Sequence, residues 1–455
     1  MEPRSSSFIG DLRTVLGRAA FRKLYATRLI SQTGDGIFTA GLGTYVFFNA
    51  SVFPDPGKAA VAFAVLYLPY SFVGPFAGVF IDRWDRRQIL VWSAVIRAAF
   101  VVLAAAFIAA GALGLPIWLA ALIALGVNRF FLSALSAALP HVVEGDELVM
   151  ANSVGPTSGT VVAFIGGIVG TAVHVLTGDN SFGSAATILV AGLCYLAAGL
   201  SALRMPKASL GPAPGAGAPQ GAIGSELENV VEGLWAGLRH VGRRRGAAGA
   251  LLATGIHRFL YGIVLLMSVL LYRNYFYHAS SKAALDHFLP VVISSAVGYG
   301  LAAWLTPVAT RRMTSPTWIT LLLVAGGVLT GAIGVGFLQV EFVVIGFILG
   351  IVAQGIAIST TTILQRDVDD DFRGRVFAVN DMVYNTAFAL GAAISVPFMP
   401  ISGHSVTMLL VVAVGYVIGA GCYRLLTGPM GATGQPAPDG GSVTTPDSPA
   451  QRSSS

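Results

Sequence analysis

Asp35, Arg97, Arg129, His257, Arg258 and Asp381 are the side chains of this 455-residue chain whose chemistry most needs explaining, because each falls inside or beside a long apolar run. A charge at the centre of a membrane-crossing helix costs about 2.5–3.5 kcal/mol or more, so such groups pair with one another or line a wet cavity. At about 1.5 Å per residue from the expected helix ends, all six lie roughly 9–17 Å deep, in one layer built by five spans. Asp35 is the only deep carboxylate of the first half. Burial favours a protonated carboxyl and a neighbouring guanidinium favours an ionised one, so an Asp with a movable Arg partner is a protonation switch. We therefore expect Asp35 to couple protons or contact a cation, with Arg129 or Arg97 as its partner in one state; the plainer alternative is a permanent ion pair. His257 has a side-chain type that titrates near neutrality, yet beside Arg258 it reads more simply as packing or hydrogen bonding. Arg258 is offered either to Asp381 or to an acidic group on a ligand, since three deep Arg against two Asp leave a surplus positive charge. Gln32, Asn128, Asn152, Gln354, Asn380 and Asn385 are further polar groups in apolar runs, and Asp381 and Asn385 share a helix face. Each is equally well explained as inter-helical hydrogen bonding. Phe38, Tyr45, Phe259 and Tyr261 suit an apolar ligand, although most membrane aromatics only pack.

The elements that must hold these groups are apolar helices. Hydrophobic residues make up 55% of the chain, charged ones only 11%, and 55 residues are Gly, a composition suited to close helix packing in lipid. Twelve spans are expected near 27–50, 59–81, 88–112, 115–139, 150–177, 183–204, 247–273, 284–309, 316–338, 341–364, 376–400 and 404–427. Period-two alternation of a membrane barrel is absent. Residues 1–26 lack a signal-peptide pattern, so the first span would serve as the insertion signal. Most of the 28 Lys and Arg fall before span 1, in alternate loops or in the tail, which predicts that both termini lie in the cytoplasm. The net charge of +6 reflects that bias and an anionic lipid surface, not nucleic acid. Cys194 and Cys422 both fall in spans, without metal-ligand spacing.

Six spans precede residue 205 and six follow residue 246. The expected organisation is an N-terminal six-helix half (1–204), a cytoplasmic linker (205–246), a C-terminal six-helix half (247–427) and a disordered tail (428–455). Within the linker, Pro206 to Gly224 is rich in Gly, Pro and Ala and reads as flexible. Ser225-Glu-Leu-Glu228 resembles a capping box. Leu227, Val230, Val231, Leu234, Leu238 and Val241 then follow at helical spacing, which predicts an amphipathic surface helix. A weak repeat relates Leu139 to Asn152 and Leu364 to Asn380, and Arg311-Arg312 answers Arg86-Arg87. Parallel repeats place a substrate site between two halves.

Five charges, Asp82, Arg83, Asp85, Arg86 and Arg87, crowd the turn after span 2. They must sit at the membrane surface, and a short mixed-sign turn between two spans suits a mechanical part better than a tether. Gly78 allows close backbone approach. Span 11 begins near Arg375, so its free N–H groups carry partial positive charge, and Asp82 against them would latch the halves on the cytoplasmic side. Glu144, Asp146 and Glu147 are candidate partners for Arg83, Arg86 or Arg87. The plainer reading is topogenic charge.

Gly78-x-x-x-Asp82-Arg83-x-x-Arg86-Arg87 resembles the signature between helices 2 and 3 of the major facilitator superfamily. Leu68-Pro69-Tyr70, Gly74-Pro75-Phe76-Ala77-Gly78, Gly34-Asp35, Leu139-Pro140, Ala151-Asn152-Ser153 and Arg373-Gly374-Arg375-Val376-Phe377 resemble its bacterial macrolide-efflux and enterobactin-exporter branch. The resemblance runs over most of residues 20–425. It implies an all-α membrane fold with a cytoplasmic gate at Gly78, Asp82, Arg83, Arg86, Arg87, Arg373, Gly374 and Arg375. The chain departs from the pattern at Gly166-Gly167, where many drug antiporters have Gly-Pro, and at Ser133, where proton-driven antiporters often have Gly four residues after the Arg.

No phosphate-binding loop, paired His/Glu metal spacing or Ser/His/Asp arrangement points to an enzyme. The expectation is a monomeric, proton-coupled secondary transporter of the bacterial inner membrane, exporting a small amphipathic molecule. Protons and membrane lipid are its other partners; no cofactor and no nucleic acid are expected. The alternatives are a proton-linked importer or symporter, and a non-transporting receptor or scaffold of the same fold.

Overall fold

The computed structural model describes residues 8–48, 55–72, 76–81, 84–111, 114–143, 147–178, 180–207, 209–211 and 223–428. Among them the secondary structure is helical throughout. The elements are α1 (Phe8–Gly17), α2 (Ala19–Gly43), α3 (Pro56–Phe72), α4 (Ala77–Ile81), α5 (Arg86–Ala109), α6 (Leu115–Ala138), α7 (Glu147–Thr177), α8 (Ser181–Leu203), α9 (Ile223–Gly242), α10 (Arg245–Leu270), α11 (Ser281–Thr310), α12 (Ser315–Ile333), α13 (Gln339–Asp367), α14 (Asp370–Ser395) and α15 (Val406–Thr427). A π-helical turn, Thr44–Phe48, continues α2, and another, Leu271–Phe276, continues α10.

Nine helices among the described residues are long and apolar enough to cross a membrane. The other three expected spans fall on α2, on α3 with α4, and on α14, which the same length and apolarity test does not admit. α2 carries Arg22, Lys23, Arg28 and Asp35, and α14 carries Arg373, Arg375 and Asp381. α3 has only 17 residues. Charge along a helix lowers its mean hydropathy whether or not its neighbours shelter that charge, so these three are set apart by their polar cargo or their length. Large apolar side chains point outward over the periphery, among them Trp92, Leu193, Leu200, Trp304 and Ile418. A surface of that kind is solvated by lipid, since exposed apolar patches of this extent are rare in water.

Packing is densest within two groups of helices. α2 lies against α7 and α8, and α5 against α6 and α8; α11 lies against α13, α10 against α14, and α12 against α15. Glycines set the closest approaches. A Cβ on Gly36 would collide with the Ala163 carbonyl and one on Gly166 with the Thr33 carbonyl, so α2 and α7 touch backbone to backbone. Gly262 meets the Phe388 carbonyl and Gly391 the Phe259 carbonyl in the same way, joining α10 to α14. Small residues permit this contact where lipid supplies no hydrophobic drive between helices.

The two groups meet along α3 and α14. Ser71 Oγ donates to the Met382 carbonyl at 3.3 Å and Thr386 Oγ1 donates to Ser71 Oγ at 3.1 Å. The Tyr67 and Phe388 rings lie 4.3 Å apart, with Phe63 edge-on to Phe388 at 5.4 Å. The beginning of the linker is not the free strand its composition predicts: Leu210 is buried, and the Leu210 and Gly211 carbonyls accept from Arg86. α9 begins at Ile223, so Ser225 lies inside the helix instead of capping it. The tail beyond Gly428 lies outside the described residues, as do Asn152 and Ser153 with respect to their side chains.

Replacing Gly391 with Leu should separate α10 from α14, at a cost of about 1–3 kcal/mol or more. The expected readout is a lower detergent unfolding temperature and a smaller monodisperse fraction. Gly421→Leu, where a side chain meets open space, should change neither.

Candidate functional site

Asp35 sits on α2 where three other helices converge. Its Oδ1 forms an ion pair with Nη2 of Arg97 on α5 and accepts from the Tyr195 hydroxyl of α8 at 3.1 Å. Its Oδ2 accepts from Asn128 Nδ2 of α6 at 3.3 Å. Arg97 also donates to Ser31 Oγ at 2.9 Å, and its guanidinium lies 3.7 Å from the centre of the Tyr195 ring. Neighbouring Gly34 makes this possible, because any Cβ there would come within 2.8 Å of the Tyr195 ring. The Arg97 side chain is 1% exposed and that of Asp35 is 16% exposed, so the acid is the more open member of the pair. A carboxylate held by a guanidinium, a phenol and an amide is stable while ionised. Protonating it removes the charge that holds Arg97.

The C-terminal group holds a second cluster. His257 is buried, and its Nδ1 and the Tyr416 hydroxyl lie 2.9 Å apart, a packing and hydrogen-bonding role. Arg258 is 5% exposed. Its Nε donates to the Tyr384 carbonyl at 3.1 Å. Four rings surround the guanidinium: Tyr384 at 3.9 Å, Phe388 at 4.6 Å, Tyr67 at 5.5 Å and Tyr261 at 5.7 Å. The pairing of Arg258 with Asp381 is therefore corrected. Tyr384 and Phe388, one and two turns further along α14, occupy the space around the cation, while Asp381 is exposed.

Asp381 instead interacts electrostatically with Arg129 of α6, the other Arg offered to Asp35. Asn385 Nδ2 donates to the Asp381 carbonyl at 2.9 Å, and Gln32 accepts from Arg28 Nε at 3.0 Å. The deep polar groups thus divide into local sets of partners. Equal depth along separate helices says nothing about the azimuth at which each side chain leaves its helix.

A cavity of about 920 Å³ lies beside both groups. α7 contributes Val161 and Phe164, α11 contributes Val297 and Tyr299, and α10 and α13 contribute Tyr261 and Gln354. At one end Phe48, from the turn after α2, lies 5.4 Å from Phe288 of α11.

At the other end of the bundle, Asp82, Arg83, Glu144 and Asp146 lie outside the described residues, and Gly78 falls in α4. Asp85 caps α5, accepting from the Arg87 backbone N–H at 2.9 Å. Arg86 donates to the Ala137 and Leu210 carbonyls at 2.9 and 3.1 Å, and Arg87 to the Leu203 carbonyl at 2.9 Å. Such contacts tie the start of α5 to the carbonyl ends of α6 and α8. Glu147, offered to the arginines of the turn, pairs with Arg18 at 2.5 Å. Arg373 donates to the Gln365 carbonyl at 3.0 Å, and Gly374 is exposed. Arg375 lies along α9, where a Cβ on Gly237 would meet its own Cβ at 3.1 Å. The linker helix, absent from the gate expected from sequence, thus packs on the first turns of α14 and also touches α4. His240 stacks on Phe372 at 4.4 Å, and Arg244 grips Asp369 through two contacts of 2.7 and 2.8 Å.

Sequence reasoning missed Tyr195, Ser31, Tyr67, Tyr384 and Phe388, because an aromatic or hydroxyl residue in an apolar run carries no mark of its partner. Gly34 beside Asp35 was the only local signal of a ring packed there.

The family model of the Major Facilitator Superfamily matches residues 24–395. An uncharacterized MFS-type transporter of Mycobacterium bovis and one of Mycobacterium tuberculosis are each 35% identical over 426 residues, covering 93% of this chain and 94% of the relative. Among solved structures, a mutant of the nucleoside transporter NupG superposes with a TM-score of 0.65 at 16% identity, covering 89% of this chain and 99% of that one. A bacterial homologue of the human lysosomal transporter Spinster, inward-facing and unoccupied, gives 0.60 at 13% identity, covering 94% and 98%. These structural likenesses concern the fold.

Two outcomes are expected. Tyr195→Phe should cost about 1 kcal/mol through one lost hydrogen bond, whereas Arg97→Met, which strands the carboxylate, should cost about 3–5 kcal/mol; equal losses on unfolding in detergent would contradict the assigned geometry. Asp369→Ala should raise amide exchange across residues 233–242 several-fold, while Glu228→Ala, on the exposed face of α9, should leave it unchanged.

Proposed function

Because the chain belongs to the major facilitator superfamily and is a multi-pass membrane transporter, we propose that it couples proton movement to the export of a small amphipathic molecule across the bacterial inner membrane. The observation that carries this reading is the Asp35 site: a partly accessible carboxylate closed over by a fully buried Arg97, with Tyr195 and Asn128 completing its shell. Protonation of Asp35 neutralises the anion, and Arg97 then loses its charged partner while keeping Ser31 and the Tyr195 ring. Loss of the proton restores the pair. A switch between two such arrangements couples proton occupancy to helix packing when the neighbouring helices differ between them. Because α2, α5, α6 and α8 all converge on the group, a change there reaches most of the first helix group.

In this reading twelve spans form two six-helix halves, residues 20–205 and 246–427, which rock about the central cavity with both termini in the cytoplasm. Asp82, Arg83 and Arg375, together with α9, form the cytoplasmic gate. Nucleoside and peptide transporters share this fold, which supports a small-molecule cargo. The likeness of Gly34-Asp35 and Gly74-Pro75-Phe76-Ala77-Gly78 to the macrolide-efflux and enterobactin-exporter branch supports export.

Asp35→Asn tests the assignment. In proteoliposomes it should reduce flux under an imposed pH gradient at least tenfold, while downhill exchange of substrate without a gradient persists. Unchanged gradient-driven flux would remove Asp35 from the proton pathway.

A further inference from the structure

The large cavity and the buried Arg258 adjoin one another, and together they specify a ligand more narrowly than the fold does. The cavity is walled mainly by apolar side chains of α7, α10, α11 and α13, and its volume of about 920 Å³ falls at the upper end of the roughly 300–1,000 Å³ usual for small-molecule sites. It is not sealed between α7 and α11. Val161 and Val297, which line it from opposite sides, are 54% and 57% exposed, and Phe164 and Ile293 are similarly open. An apolar molecule can therefore enter from the side that lipid covers.

The wall also carries a few polar groups. Tyr261, Ser295, Tyr299 and Gln354 contribute hydroxyl and amide groups to it. Behind Tyr261 is Arg258, which also interacts electrostatically with Tyr299. Among the described residues no carboxylate forms an ion pair with Arg258, and its buried Nη2 has no hydrogen-bond partner. The aromatic cage compensates the charge through ring faces but offers that N–H no acceptor. A buried guanidinium with a free donor is completed by an anion, and a carboxylate suits its planar fork.

We propose that this cavity binds a single-chain amphiphile bearing a carboxylate, its chain between α7 and α11 and its head at Arg258. The proposal deepens the transporter reading by naming a ligand class, and rests on that reading only for what happens to the ligand after binding. Tyr261, shared by the cavity wall and the cage, is the side chain that must turn to admit the head.

The test uses the full chain in nanodiscs of zwitterionic lipid, without any gradient, at a pH where fatty acids in membranes are ionised. Energy transfer from the protein's tryptophans to bound cis-parinaric acid reports occupancy, and hexadecanoate and hexadecan-1-ol compete for it. The acid should displace the probe at a concentration at least tenfold lower than the alcohol. Arg258→Gln should bring the two within twofold by weakening the acid alone, and a Val161→Phe, Val297→Phe double variant should weaken both. Equal displacement by acid and alcohol in the natural protein overturns the proposal, as does a preference that survives Arg258→Gln. If Arg258→Gln does not fold, the acid-to-alcohol ratio of the natural protein and the double variant decide the matter. Asp35→Asn should keep the preference. In the natural protein, selective binding without gradient-driven flux would refute the transport reading and leave this site standing, and gradient-driven flux without selectivity would do the reverse.

Discussion

The cost of a charge in a place water cannot fill is the constraint on which this structure depends. Arg97 is almost completely enclosed, and its guanidinium is tolerable there only because Asp35, Ser31 and the Tyr195 ring take up its charge and its N–H groups. Removing the charged partner leaves Arg97 with most of that penalty. The positions of α2, α5, α6 and α8 are thereby tied to one ion pair. Their apolar contacts add bulk without that directional demand.

Close backbone contact makes the arrangement geometrically possible. Gly34 lets the Tyr195 ring reach the carboxylate; Gly36 and Gly166 bring α2 against α7; Gly262 and Gly391 bring α10 against α14. A protein with so many glycines spends conformational freedom to gain proximity, and in lipid proximity is what helix association requires. The seam between α3 and α14 differs in kind. Among the described residues it is made of hydroxyls and rings, Ser71, Thr386, Tyr67 and Phe388.

Arg258 resolves the same charge problem in another way. Instead of a carboxylate it has a ring cage and a backbone carbonyl, and one N–H remains unused beside a large apolar cavity. Arg97 and Arg258 thus differ in character: the first is ion-paired to Asp35, and the second has no carboxylate partner among the described residues. The linker helix contributes a third element, because α9 lies against both α14 and α4 through Gly237, His240 and Arg244. Whatever moves α14 relative to α4 must also move α9.

Much of this was legible in the residues alone. Long apolar runs, abundant Gly and charges gathered in short turns determine a helical membrane protein, since only helices and closed barrels satisfy their backbone in lipid and a barrel's period-two alternation is absent. The turn from Gly78 to Arg87 and the Gly34-Asp35 pair point to the superfamily. Asp35 was identifiable as a buried acid because its neighbours along the chain are apolar. Its partner was not, because Arg97 and Arg129 stand at similar depth and only the rotation of α5 and α6 about their axes decides which one faces α2. The same rotation placed Tyr384 and Phe388 over Arg258 in place of Asp381. One-dimensional order carries depth and periodicity; azimuth and helix pairing come from packing, and that is where the partners of Asp35, Arg97 and Arg258 were decided.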